Sequence, residues 1–363
     1  MTGGIDTDGA GIRKLPITPL PHKEPKVTLH KLFISFCLMS TLATNAYADE
    51  TRDRTAADYA AAGVLAGRDF PGLVDLCDIS RRLLVAGKRE PGSAATRPDR
   101  PKRESLAPLQ PMQVFDNLYF VGNRQVSAWL LGTEKGYFLI DAMNNDKQAK
   151  TIIEAGILKL GLDPKKIMYI VVTHAHGDHY GGQNYIATTY GSRVAMSDAD
   201  WNVLEDPKQR IENPRWGPRP QRDVIVGNGE TLSIPGTEIQ TWTTPGHTPG
   251  TISLIFDVFD KGKPHKAALW GGTGFNFGPD EARLRQYADS ASRFGKIASE
   301  QGVDVFLSNH PNRDSGIEKM AELGQRGSDE PNPFVMGATA LKAFSVFEQC
   351  ALAQAARVAS KAN

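Results

Sequence analysis

The chain has 363 residues, of which 40% are hydrophobic and 23% charged, enough to bury one large core or two modest ones. Its 42 basic and 41 acidic residues leave a formal net charge of +1, which gives no basis for a nucleic-acid surface or an acidic partner.

The first segment reads as a targeting sequence. Lys31 precedes the apolar run Leu32 to Ala43, and Ala46-Tyr47-Ala48 follows as an A-x-A cleavage pattern before Asp49-Glu50. This is the signature of a secretory signal peptide. Its core is too short to span a bilayer, so no membrane anchor is expected after cleavage. Residues 1–48 are read as a signal peptide with a long, Gly/Pro-rich n-region, and the mature chain as periplasmic or secreted. Cleavage would leave Cys77 and Cys350, a pair that an oxidising compartment would allow to bridge. Spacing alone leaves that pairing open against two separate buried thiols.

Residues 49–113 are read as an N-terminal extension, with an Ala-rich helix over Thr55 to Ala66 and a break at Arg68 to Gly72. A linker with five prolines follows over 91–111. The folded domain is placed at 114–363. One strand is expected over Val114 to Val121, then a hairpin of Val126 to Leu131 and Tyr137 to Ile140 around Gly132 to Gly136. A helix is expected over 147–160, a buried strand over Ile167 to Val172, and a helix over Gln183 to Tyr190. Residues 206–222, with four prolines, five basic residues and Trp216, lack apolar periodicity. They read as a flap or as a solvated loop anchored by its aromatic, the second being favoured. Strands follow near Glu238 to Thr243, Thr251 to Phe256 and Ala267 to Trp270. A helix carries Leu284, Tyr287, Ala291, Phe294 and Ile297 on one face, and Val303 to Leu307 is a further strand. Ser315-Gly316-Ile317-Glu318 matches the capping box that opens a helix, and a last helix spans Ala338 to Val358. Two similar halves of strands and helices suit two sheets packed face to face with helices outside.

Three of the eight histidines lie within six residues, in Thr173-His174-Ala175-His176-Gly177-Asp178-His179, directly after an apolar strand. His247, in Pro245-Gly246-His247-Thr248-Pro249-Gly250, and His310, in Ser308-Asn309-His310-Pro311, repeat the pattern of a ligand-type side chain in the loop after a strand. His265 does not, and Lys263 to Lys266 reads as an exposed turn. Imidazole and carboxylate without thiolate suit zinc first, with iron or manganese behind it. A catalytic zinc takes three protein ligands and keeps an open position, so the set divides between two ions.

Thr173 to Gly182 resembles the signature of the metallo-β-lactamase superfamily, and the likeness runs from about Val114 to Pro311. The resemblance implies an α/β (α+β) fold, a four-layer αββα sandwich. It implies one zinc on His174, His176 and His247, a second on Asp178, His179 and His310, and Asp141 supporting the metal loop from behind. Members acting on thioesters, lactones or phosphodiesters usually carry a bridging aspartate after a strand ending in Gly. Here Gly271-Gly272-Thr273-Gly274 has no carboxylate. The chain therefore looks most like the subclass B3 β-lactamases, although those usually show Asp-Ser where Gly272-Thr273 stands. The expected activity is opening of a β-lactam amide by zinc-activated water, with Asp178 orienting the nucleophile. By the same resemblance Thr273 and Asn276 contact a small-molecule substrate, although turn chemistry would equally account for both. A lactonase or thioesterase of the same fold is the alternative, and a mononuclear iron oxygenase a lower one.

Overall fold

The computed structural model describes residues 54–86 and 109–361, which lie in a single compact unit beginning at Arg54. The signal-peptide reading and most of the linker fall outside the described residues.

Helix α1 (Ala56–Ala66) starts where Thr55 and Asp58 exchange capping hydrogen bonds. Short 3-10 turns follow at Gly67–Asp69 and Val74–Cys77. Strands β1 (Met112–Phe115), β2 (Leu118–Phe120), β3 (Trp129–Thr133) and β4 (Gly136–Ile140) form an antiparallel run. The single strand expected over Val114 to Val121 is thus two. Asp116 and Asn117 turn the chain, and Asn117 is fixed there by donating to Asp257 O and accepting from Phe259 N.

The helix expected at 147–160 forms as α2 (Asp146–Gln148), a π segment (Ala149–Glu154) and α3 (Ala155–Lys159). Then come β5 (Ile167–Val171), α4 (Gly177–Tyr180), α5 (Gln183–Tyr190), β6 (Arg193–Ser197), α6 (Asp198–Glu205) and β7 (Val224–Val226). The second half supplies β8 (Glu230–Ile234), β9 (Thr237–Thr243), β10 (Ile252–Asp260), β11 (Lys263–Trp270), α7 (Glu281–Glu300) and β12 (Val305–Ser308). Helices α8 (Gly316–Leu323) and α9 (Lys342–Ala359) close the chain.

The strands form a seven-stranded sheet in the order β1 to β7 and a five-stranded sheet ordered β12-β11-β10-β9-β8. Alternating side chains sort into layers, as the pleat requires. Trp129, Phe138 and Ile140 meet Ile239, Leu254 and Leu269 between the sheets. Leu130, Leu139 and Ile170 face outward onto Ile153, Ile157 and Trp201. On the other side Ile255, Ala268 and Trp270 pack under Leu284, Phe294 and Phe347 of the helices. This is the αββα sandwich.

Two local expectations fail. His265 is not in an exposed turn: β10 and β11 pair out to Asp260 and Lys263, which puts His265 on a strand, buried, with Nδ1 2.6 Å from Asp304 Oδ2. The capping box at Ser315 does not form, because Ser315 adopts a left-handed φ of 56° and makes no capping bond. Asp314 instead accepts the Gly316 amide at 2.9 Å.

Residues 54–86 pack against the domain placed from 114. Cys77 and Cys350 are joined in a disulfide between the N-terminal segment and α9. Gln354 Nε2 also donates to the carbonyls of Leu76 and Asp78.

Candidate metal centre

The strand ends of β5, β9 and β12 bring the three histidine-bearing loops to one edge of the sandwich. Gly271 to Asn276, after β11, forms the floor between them.

His174, His176 and His247 form one cluster, and Asp178, His179 and His310 the other. His247 Nε2 lies 3.2 Å from both His174 Nε2 and His176 Nδ1. Two nitrogens bound to one tetrahedral zinc at 2.0–2.1 Å stand roughly 3.3 Å apart, so the rings already have the spacing of a coordinated set. The outward nitrogens explain the orientation. His174 Nδ1 donates to Gly271 O at 2.8 Å, His247 Nδ1 to Gly274 O at 2.9 Å and His310 Nδ1 to Gln125 O at 2.6 Å. His179 Nδ1 pairs with Asp141 Oδ2 at 2.7 Å. Each bond fixes the tautomer and leaves Nε2 with its lone pair directed inward, the usual support for a metal-binding imidazole. His179 Nε2 is buried with no hydrogen-bond partner and faces Asp178 Oδ2 at 3.6 Å.

Such converging lone pairs repel one another unless a cation lies between them, so the donor set fits a metal ion in each cluster. The protonation states agree. Burial, then neighbouring imidazoles, holds His174 and His247 well below the ordinary histidine range. Burial brings His176 and His310 down to about 4. Burial opposes the charge on Asp178, but His179 and His310 outweigh it and bring the carboxyl to about 2. His179 alone moves up, because Asp141 and Asp178 outweigh its burial. At neutral pH the site thus offers four neutral imidazoles and an ionised Asp178, while His179 would release a proton on binding a metal.

Asp141 stands where expected. With a left-handed φ of 61° just beyond β4, it accepts from Thr173 N at 2.8 Å and Thr173 Oγ1 at 3.0 Å as well as holding His179. Two further carboxylates were not foreseen. Asp200, fully buried, accepts from Ala175 N at 2.8 Å, Thr248 Oγ1 at 2.7 Å and Gly250 N at 2.7 Å, so it ties the His174–His176 loop to the His247 turn. Burial raises its carboxyl to about 6. Asp314 accepts from Ser308 N at 2.7 Å and closes the His310 loop. Neither carries a local sequence signal, since each acts on backbone amides far away in the chain or within an irregular turn.

Thr273 lines a cavity of about 1280 Å³ together with Asp178, His310, Gln125 and Trp216, and its hydroxyl lies 3.4 Å from Asn309 Oδ1. Asn276 does not share that cavity. It lines a second one, of about 470 Å³, beside His176 and His247, and its Oδ1 is buried without a partner. The 206–222 segment is more than a solvated loop. Trp216 lies across Gly177, where a Cβ would come within 2.3 Å of the indole, and its ring is 6.3 Å from His176 at an interplanar angle of 25°. Arg219 and Arg222 pin the segment to α6 through Leu204 O, Glu205 and Asp198.

Gly272 is tightly enclosed. A Cβ at that position would stand 2.6 Å from His247 Cβ and 2.9 Å from Thr251 Cγ2. A side chain there requires the His247 turn to move.

Residues 121–258 match the family model described as the metallo-beta-lactamase superfamily. The chain is 27% identical over 158 residues to an N-acyl homoserine lactonase of Bacillus sp, an alignment covering 38% of this chain and 60% of that protein. Its structure is similar to BJP-1, a subclass B3 metallo-beta-lactamase of Bradyrhizobium japonicum, with a TM-score of 0.60 and 23% identity over 71% of this chain and 97% of that one. A metallo-beta-lactamase of Cronobacter sakazakii gives a TM-score of 0.56 and 27% identity over 70% of this chain and 95% of that one. Residues 121–258 are thus similar to the metallo-β-lactamase superfamily, and the fold is similar to that of the B3 metallo-β-lactamases.

Proposed function

We propose that this protein is an exported hydrolase that holds two zinc ions and opens the amide of a β-lactam ring. The observation that carries this reading is the enclosure of Gly272 against His247. Six candidate ligands lie in two clusters, and a side chain at Gly272, where a bridging carboxylate would have to start, would meet His247 and Thr251. Zinc bound to the two clusters would supply water with a pKa near 7 and polarise the scissile carbonyl.

The chain's own residues then have distinct tasks. His174, His176 and His247 hold one ion, and Asp178, His179 and His310 the other. Asp178 keeps its charge, so it can accept a hydrogen bond from the attacking water and orient it towards the carbonyl. Thr273 offers a hydroxyl to the substrate carboxylate from the larger cavity, and Asn276 an amide from the smaller. Trp216 covers the loop beside His176 and limits water there. Export fits the Cys77–Cys350 disulfide, which persists in an oxidising compartment.

A lactonase reading is favoured by one observation, the sequence similarity to an N-acyl homoserine lactonase. The chain spans about 60% of that protein's length. The two readings are separated by purifying the chain from Asp49 and measuring its metal content. Hydrolysis of a carbapenem, a cephalosporin and an acyl-homoserine lactone is then compared. Two zincs with β-lactam turnover are expected. Lactone turnover alone would transfer the assignment to the lactonases, and one iron without zinc would reject both.

A further inference from the structure

The smaller cavity has a wall that comes from far away in the chain. Val85 and Ala86 line it together with His176 and His247. The segment is fastened to the loop after β11 by a short antiparallel bridge. Ala86 N donates to Asn276 O at 2.6 Å, Gly278 N donates to Leu84 O at 3.1 Å, and Val85 pairs with Phe277. Its root is fixed as well, by the Cys77–Cys350 disulfide and by Arg313 Nη1 donating to Gly72 O at 2.7 Å.

We propose that Leu84–Ala86 is a strap forming one wall of the substrate site, and that Val85 selects the substituent admitted beside His176 and His247. The proposal rests on the two clusters being the catalytic centre. It deepens that reading by naming the substrate feature recognised on this side: an apolar group on a ligand whose polar end reaches the metals. The lining argues for it. Val85, Ile211 and Phe277 supply apolar surface. Lys208, Arg210, Glu212 and Arg283 also line it, and Arg210 Nε is paired with Glu212 Oε1 at 2.8 Å. Arg283 is committed as well: Nε donates to Gly246 O, Nη2 to His247 O, both at 2.6 Å, and its guanidinium lies 4.4 Å from the Phe277 ring centre. It holds the His247 turn and covers an aromatic face, which leaves the Val85, Ile211 and Phe277 side of the cavity suited to an apolar group. Val85 is itself partly exposed, at 36%, and so is available for contact.

The test uses zinc-loaded full-length protein and two thiols, 2-mercaptoethanol and 2-phenylethanethiol, because a thiol can ligate zinc whatever the true substrate. Binding is followed by calorimetry, with the metal content of each sample measured alongside. In Val85→Asp the affinity for 2-phenylethanethiol should fall by about fivefold or more, as expected for loss of one branched apolar contact. That for 2-mercaptoethanol should stay within about twofold, since its small group does not reach the strap. Val85→Trp, which narrows the cavity without adding charge, should shift the ratio in the same direction. Unchanged selectivity in both variants, with both thiols still bound to zinc, would overturn the strap alone. Failure of the unmodified chain to bind zinc would instead overturn the reading on which the strap depends, and the strap with it.

Discussion

Two residues carry the argument about chemistry at the smallest scale. Gly272 stands where a side chain would press on the His247 Cβ. Gly272→Asp should therefore displace the His247 turn rather than install a bridging ligand. The expected result is loss of metal from the three-histidine cluster with little gain of lactone hydrolysis, read by metal analysis and by turnover of both substrate classes. A variant with two tightly held metals and new lactonase activity would contradict it. Asp200 acts through three hydrogen bonds, two of them to backbone amides. Asp200→Asn keeps its size but turns an NH2 towards a donor on one side. The three-histidine cluster should then bind its ion about 10- to 100-fold more weakly, as supporting partners of metal ligands generally do, while the Asp178 cluster holds. Titration against a competing chelator distinguishes the two clusters, and equal weakening of both would reject a local role. The two clusters of candidate ligands were legible because ligand-type side chains follow apolar strands at close spacing. Asp200 was not, because its partners lie 25 to 50 residues away and a single aspartate on a helix reads as surface.

Most elements followed from periodicity and punctuation, and the exceptions have local causes. The apolar run at 114–121 hid a two-residue turn, since Asp116 and Asn117 are anchored by β10, a strand that lies far ahead in the sequence. Strand β7 has only three residues, too few for alternation to stand out. The capping box at Ser315 failed because Ser315 sits at a left-handed φ of 56°, in a turn where Asp314 accepts the Gly316 amide. Whether Cys77 and Cys350 pair could not be decided from spacing, as it depends on α1 lying against α9. Gly63 makes that approach close: a Cβ there would stand 2.2 Å from Cys77 Sγ and 2.9 Å from Cys350 Sγ. Gly63→Ala should force the two sulfurs apart or displace α1. Two free thiols should appear in the denatured chain, with a loss of about 2–5 kcal/mol, the usual cost of removing a native disulfide. Quantitative thiol labelling and thermal melts check this, and an alanine variant with an intact bridge and unchanged melting would show that the helix simply shifts.

At the scale of the whole molecule, the metal centre makes stability depend on pH in a direction that can be worked out. His174, His176, His247 and His310 are all held below 6.5 by burial, His176 and His310 at about 4. Between those values the unfolded chain binds protons that the folded site refuses, so their stabilising effect is present above pH 6.5 and lost as pH falls towards 4. Asp200 and Asp314 oppose this. Burial raises them to about 6 and about 7, so the fold retains protons that an unfolded aspartate releases near 3.8. Their contribution is present below 3.8 and disappears as pH rises through 6 and 7. His179, raised by Asp141 and Asp178, also opposes the other four histidines. Four groups act in one direction and three in the other, so acidification should be destabilising overall. After removal of metal with a chelator, the melting temperature should drop by roughly 5–10 °C between pH 7 and pH 4.5. Replacing both Asp200 and Asp314 by asparagine should steepen that slope, because two of the opposing groups no longer titrate. A metal-free protein whose melting temperature is flat or rises on acidification would mean that the histidine lone pairs are not held together in solution, and with them would go the basis for two metal ions at this edge of the sandwich.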